Sequence, residues 1–267
     1  EPVFETTTGP PRIITAASLF DGHDAAINVM RRLIQSAGAE VIHLGHDQSA
    51  KAVVDCAIQE DAHGVALTSY QGGHVEYFTY IRQLLDEAGC EHIRIFGGGG
   101  GTITPPEIKT LHESGISKIY SPDDGRTMGL MGMIHHLMGI ASEVDLIHPD
   151  RLASLDEPVT PEDTAKVGLL LTMSESADDA TFKATLDKCR STQKDVPVIG
   201  FTGTGGAGKS SLLDELMLRI LRDNPGKKVC LLCVDPTRKR TGGALLGDRI
   251  RMNSLSNNDL YMRSLAS

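Results

Sequence analysis

The run Arg12-Ile13-Ile14-Thr15-Ala16-Ala17, followed after Ser18 by Leu19-Phe20-Asp21-Gly22-His23-Asp24, decides how the first half of the chain is read. A short apolar run rich in β-branched residues predicts a buried strand, and the polar turn after it predicts a loop at the strand's carboxyl end. The same alternation continues outward. Strands are expected at residues 12–17, 40–44, 64–68, 92–96 and 118–120, with helices between and after them at 25–37, 49–60, 74–88, 105–114 and 125–139. Strands alternating with helices imply a parallel sheet wrapped on both faces, one doubly wound α/β domain over residues 10–142. In the first helix Ala26, Met30, Leu33 and Ala37 recur at three- and four-residue steps, so that face is expected to pack on the sheet and to be structural.

Ligands of such folds lie beyond the carboxyl ends of the strands. Three loops there are unusual: residues 19–24; Thr68-Ser69-Tyr70-Gln71-Gly72-Gly73; and the five consecutive glycines 97–101, which suggest a wide loop. Asp21 and His23 pair a carboxylate with an imidazole, the arrangement in which an acid orients a metal-binding ring. Asp61-Ala62-His63 repeats the spacing but precedes a strand, which puts it at the opposite edge of the sheet. His46-Asp47 has no acid two residues before the histidine. Neither is expected to bind metal.

A second site is written at Phe201-Thr202-Gly203-Thr204-Gly205-Gly206-Ala207-Gly208-Lys209-Ser210-Ser211. Residues 197–201 read as a buried strand and 210–221 as a helix, so the glycine-rich loop has the strand–loop–helix context of a phosphate cradle. Gly205, Gly206, Ala207 and Gly208 would offer backbone N–H groups. Lys209 would reach the terminal phosphates, and Ser210, followed by Ser211, would hold magnesium. The loop by itself leaves ATP and GTP open. Residues 228–235 read as another buried strand, which gives Cys230 and Cys233 a core role, and Asp235 closes it.

The chain has 267 residues, 40% of them hydrophobic and 23% charged, with a net charge of -9. That balance argues against nucleic acid or an anionic membrane as a general partner. Five scattered cysteines form no disulfide framework, and no secretion signal or apolar run of membrane length is present, so a cytoplasmic location is expected.

Asp21-x-His23, Thr68-Ser69-Tyr70 and Gly97-Gly98 together resemble the cobalamin-binding domains of adenosylcobalamin-dependent mutases and methionine synthases, whose signature is Asp-x-His-x-x-Gly, Ser-x-Leu and Gly-Gly. The resemblance covers roughly residues 12–142 and implies a flavodoxin-like (Rossmann-like) fold. It also implies that His23 binds cobalt in place of the cofactor's own base, with Asp21, Gly22 and Asp24 around it. Thr68, Ser69, Gly97 and Gly98 would line the channel for the displaced nucleotide tail. Ala26 stands where the family has Gly, and Thr68 and Tyr70 where it has Ser and Leu.

Residues 143–195 weaken into an acidic, proline-containing stretch with helices expected at 162–173 and 181–190, a helical linker. Thr192-Gln193-Lys194-Asp195 has the letters of a guanine-reading motif in the wrong order and place, and is expected to be a solvated turn. Residues 196–267, with Asp235-Pro236-Thr237 and Thr241 through Asp248 to Met252, resemble the GTPase chaperones of methylmalonyl-CoA mutase. In that family the corresponding acids lie near magnesium, which carries Asp235 and Asp248 over as candidates, with Lys209 and Asp235 as the catalytic pair. The domain order resembles that of the fused isobutyryl-CoA mutases. That arrangement implies adenosylcobalamin, GTP or GDP and Mg2+ as cofactors, an acyl-CoA bound by a further domain, an adenosyltransferase as cofactor donor and a homodimer. The P-loop domain looks incomplete at Ser267, without a guanine motif or acyl-CoA barrel, so this stretch alone is expected to lack mutase turnover. A cobalamin carrier or sensor module fused to a P-loop NTPase is the alternative reading.

Overall fold

A computed structural model describes residues 2–190, 196–235, 243–247 and 249–266. In chain order the elements are β1 (Arg12–Ser18), α1 (Asp24–Ser36), β2 (Glu40–Gln48), α2 (Ala50–Gln59), β3 (Gly64–Thr68), α3 (His74–Glu87), β4 (Arg94–Gly98), α4 (Pro105–Glu113), β5 (Lys118–Tyr120) and α5 (Pro122–Ser142). After them come α6 (Pro149–Leu152), α7 (Thr164–Ser176), α8 (Asp179–Cys189), α9 (Lys209–Asp223), β6 (Val229–Asp235), β7 (Ala244–Leu246) and β8 (Leu260–Ala266).

The strands β5-β4-β3-β1-β2 form a parallel sheet as the alternation implies, and β7 adds a sixth strand beside β2. Successive side chains of a strand face opposite ways. Ile14, Ile42, Val65, Ile95 and Ile119 accordingly pack with residues of α2 and α3 on one face, while Ile13, Val41, Ala66 and Phe96 pack with α1 and α5 on the other. β4 lies two residues later than expected because Gly97 and Gly98 themselves pair with Leu67 and Thr68. The chain passes from β1 to β2 on one side and returns to β3 on the other, so the switch point of the sheet lies between β1 and β3.

Two expectations about the second half are corrected. Residues 197–201 form no strand and are exposed, Val198 to 94%. Among the described residues the sheet here is only the parallel pair β6 and β8, so these residues gain no ladder hydrogen bonds. Residues 229–235 do form a strand, yet only one of its faces is covered. Leu231 packs with Met217 and Leu221 of α9, while Cys230, Leu232 and Val234 face outward, so Cys230 has no core role. Cys56, Cys90 and Cys189 are buried, and no described cysteine is in a disulfide. Asp248 and residues 192–195 lie outside the described residues. Among those described, no helix is long and apolar enough to cross a membrane.

At the amino edge of the sheet, Asp61 and His63 are structural. The Asp61 carboxylate accepts Arg151 Nη2 and Thr172 Oγ1, both at 2.7 Å, and His63 Nδ1 accepts the Arg12 N–H at 2.9 Å. Burial, reinforced by neighbouring arginines, lowers the His63 pKa to about 3 and that of His43 to about 4. The folded chain therefore keeps both rings neutral where the unfolded chain, at 6.5, takes up protons. Their contribution to stability is complete above pH 6.5 and is lost as pH falls toward the folded values. Thermal melting is expected to drop steadily between pH 6.5 and 4.5, and the drop should shrink in His43→Asn; a flat profile would contradict the burial of these rings.

Candidate functional site

The loop after β1 begins with a tight turn, Ser18 to Asp21, closed by the Asp21 N–H donating to the Ser18 carbonyl at 3.0 Å. Asp21 is thereby turned inward and its side chain is fully buried. One carboxylate oxygen accepts the Tyr70 N–H at 2.7 Å; the other accepts the His23 N–H at 2.9 Å and faces His23 Nδ1 at 2.7 Å. Burial alone would raise the Asp21 pKa, but these hydrogen bonds outweigh it and hold the group below its ordinary value. An ionised carboxylate can only accept, so in the neutral ring the proton sits on Nδ1 and the lone pair on Nε2. The His23 side chain is 61% exposed, which makes Nε2 a donor nitrogen held in one tautomer and one orientation at the surface.

Thr68, Ser69 and the glycines meet this loop as the sheet topology requires. Ser18 Oγ donates to Ser69 Oγ at 2.9 Å, and the Ser69 N–H donates to the Gly98 carbonyl at 2.9 Å. Ser69 is buried in these ties and does not line the adjacent cleft. Thr68 does line it, and its buried Oγ1 has no hydrogen-bond partner there. The cleft encloses about 480 Å³ between α1, α5 and the ends of β3, β4 and β5. Ala26, Ile27, Met30, Leu130 and Met133 give it apolar walls; Met30, Leu33 and Ala37 of the first helix pack on the sheet as expected, and Ala26 and Met30 also face the cleft. α5 breaks at Gly129 (φ 66°, ψ 172°), and residues on both sides of the break reach the cleft.

The glycines serve two different purposes. A Cβ on Gly97 would lie 2.4 Å from the Phe78 ring, and one on Gly99 would lie 1.9 Å from the Ser69 carbonyl oxygen. Both are required by packing inside the domain. At Gly98 the nearest atom is 3.6 Å away, and at Gly101 nothing lies within 4 Å. Gly99→Ala is expected to cost roughly 2–4 kcal/mol, since a backbone oxygen cannot move aside cheaply, while Gly101→Ala stays near the parent. Melting temperatures of the two variants check this; equal values would contradict it.

In the second half, Gly206 (φ 79°) and Gly208 (φ 83°) take left-handed conformations that turn the loop into α9, whose first residues are Lys209, Ser210 and Ser211. Gly208 caps the helix without a side-chain bond, leaving the helix N-terminus presented to solvent with Gly205 and Ala207 beside it. Lys209 Nζ donates to the carbonyls of Gly203 and Thr204 at 2.8 and 3.0 Å. Asp235 ends β6, and a short turn between α9 and β6 puts that end at the same edge as the phosphate loop.

Comparison with known proteins finds a family match in each half of the chain. Residues 11–119 match the B12 binding domain family, and residues 167–267 match "Methylmalonyl Co-A mutase-associated GTPase MeaB". The chain is 51% identical over 263 residues to the fused isobutyryl-CoA mutase of Geobacillus kaustophilus, and 50% identical over 259 residues to that of Cupriavidus metallidurans, with 96% of the chain covered in each case. Over nearly its whole length this chain is a relative of the fused isobutyryl-CoA mutases. It spans about a quarter of the length of these relatives, 24% and 23%. It is also 34% identical over 115 residues to the 2-hydroxyisobutanoyl-CoA mutase small subunit of Aquincola tertiaricarbonis, across 43% of this chain and 82% of that one. The family thus accounts for a cobalamin-binding domain followed by a GTPase region. It does not by itself explain the shape of the turn at Phe20, whose left-handed φ of 63° no feature of the sequence announces.

Proposed function

We propose that this chain is the cofactor-handling portion of a radical acyl-CoA mutase that interconverts isobutyryl-CoA and n-butyryl-CoA. The observation that carries the reading is the His23 imidazole, largely exposed, fixed at Nδ1 by a buried carboxylate, and set against Tyr70, which lines an apolar cleft. The residues fit the group. His23 Nε2 would take cobalt, the cleft would accept the displaced nucleotide tail, and the unpartnered Thr68 hydroxyl offers that tail a hydrogen bond. Gly97 and Gly98 line the cleft at the end of β4, and at Gly98 a Cβ would meet nothing closer than 3.6 Å. When bound, adenosylcobalamin supplies homolytic cobalt–carbon chemistry for a 1,2 carbon-skeleton shift, and the protein supplies orientation and exclusion of water.

In the same reading the loop 203–210 binds the phosphates of GTP, Ser210 and Asp235 hold Mg2+ together with Asp248, and nucleotide turnover gates cofactor loading. The acyl-CoA is taken by another part of the full-length protein, an adenosyltransferase hands over the cofactor, and the full-length protein is a cytoplasmic homodimer. Titrating the chain with adenosylcobalamin at neutral pH tests the central point. The expected spectrum is that of a corrinoid whose own base has been displaced by histidine; an unchanged base-on spectrum at saturating protein sinks the reading.

A further inference from the structure

The turn that aims Asp21 inward leaves its neighbour in an unusual state. Phe20 is the third residue of the turn closed between Ser18 and Asp21 and has φ 63°, a value that turns of this kind assign to Gly or Asn because a Cβ crowds the backbone there. A bulky aromatic residue gains nothing to offset that strain, since Phe20 is 80% exposed. The strained conformation is nevertheless firmly held. Asp47 Oδ1 accepts the Phe20 N–H at 2.7 Å, and the Asp47 N–H donates to the Asp21 carbonyl at 3.3 Å. Asp47, itself left-handed at φ 56°, reaches the turn because β2 runs on through register breaks opposite Ala16 and Ser18. An over-determined backbone outlier bearing an exposed ring marks a functional position, and this one lies three residues before His23.

We propose that Phe20 is a contact residue for the corrin macrocycle, and that Asp47 is the positioning residue that holds its ring outward. The inference rests on the cobalamin reading and extends it to residues outside the Asp-x-His signature. The rim of a corrin is rich in methyl groups and methylenes, so an aromatic ring buried against it regains the contact area that the turn leaves in water. The contact serves the macrocycle and not the tail.

The test compares adenosylcobalamin with cobinamide, a corrinoid without the nucleotide tail, by spectral titration of the chain. Phe20→Ala and Phe20→Gly are each expected to weaken both ligands about tenfold. Phe20→Gly should also melt several degrees higher than the parent without ligand, because glycine relieves the left-handed strain. Asp47→Ala should weaken both ligands, and Asp47→Asn, which keeps the acceptor oxygen, should restore binding. If the parent binds and the Phe20 variants bind both corrinoids as tightly, the inference is overturned while the cobalamin reading stands. A loss confined to adenosylcobalamin would reassign Phe20 to the tail and also overturn it. If the parent binds neither ligand, the cobalamin reading falls and takes the inference with it.

Discussion

Replacing His23 with alanine is expected to lower adenosylcobalamin affinity by about 100-fold or more and to erase the histidine-bound spectrum, with little change in melting temperature. The reasons lie in the separation of roles within the loop. The ring is largely in solvent, so its removal opens no cavity. Asp21 keeps the Tyr70 and His23 backbone N–H groups, so the buried carboxylate is not orphaned. What disappears is the ring nitrogen that would bind cobalt. Loss of a partner that merely orients a metal-bound histidine typically costs 10–100-fold, and loss of the ligand itself should cost at least as much. Asp21→Asn is therefore expected to fall between the parent and His23→Ala, since the amide oxygen still accepts from Nδ1 but without charge. Ultraviolet–visible titration ranks the three proteins; an alanine variant that still gave the histidine-bound spectrum would move the ligand elsewhere.

Lys209→Ala should reduce GDP affinity by about 100-fold, again with the melting temperature unchanged. In the structure the ammonium group folds back onto the carbonyls of Gly203 and Thr204, two neutral acceptors in an exposed loop. A phosphate carries full charge and offers shorter, stronger hydrogen bonds, so a bound nucleotide would draw the lysine out of that arrangement. Truncating one member of a charged, hydrogen-bonded pair costs roughly 2–5 kcal/mol when the partner is left unpaired, and the lower half of that range corresponds to the expected loss. Titration with a fluorescent GDP analogue measures it. Equal binding by both proteins would show that nucleotide phosphates do not occupy this loop.

Much of the first site was legible in the letters because loops at strand ends are placed by topology. Once residues 12–17 and 64–68 were strands of one parallel sheet, Asp21, His23, Thr68 and Ser69 had to share an edge, and they do. The cleft was less legible. Its walls come from α1 and α5, far apart in sequence, and from a break at Gly129 that no spacing rule announces. The stripe of α1 does pack on the sheet, but periodicity did not show that Ala26 and Met30 also border the cleft. Gly97 and Gly98 line the cleft, as the reading of the loop expects, but it is Phe78 and the Ser69 carbonyl that leave no space for a side chain at Gly97 and Gly99. The strand expected at residues 197–201 failed for a related reason, since apolar composition supplies the tendency but a ladder needs a neighbour.

Local chemistry was thus what the sequence offered: candidate metal ligands, a candidate phosphate loop, and the runs of the first half that alternate between strand and helix, because these depend on side-chain type and spacing along one chain. Tertiary structure alone decided which atoms meet across long separations. Asp47 clasping the strained turn at Phe20, Tyr70 donating to Asp21 and β7 extending the sheet beside β2 all join residues whose separation along the chain says nothing about their distance in space. Such contacts form only when the whole sheet closes, and the conformation of the turn that presents His23 is fixed there.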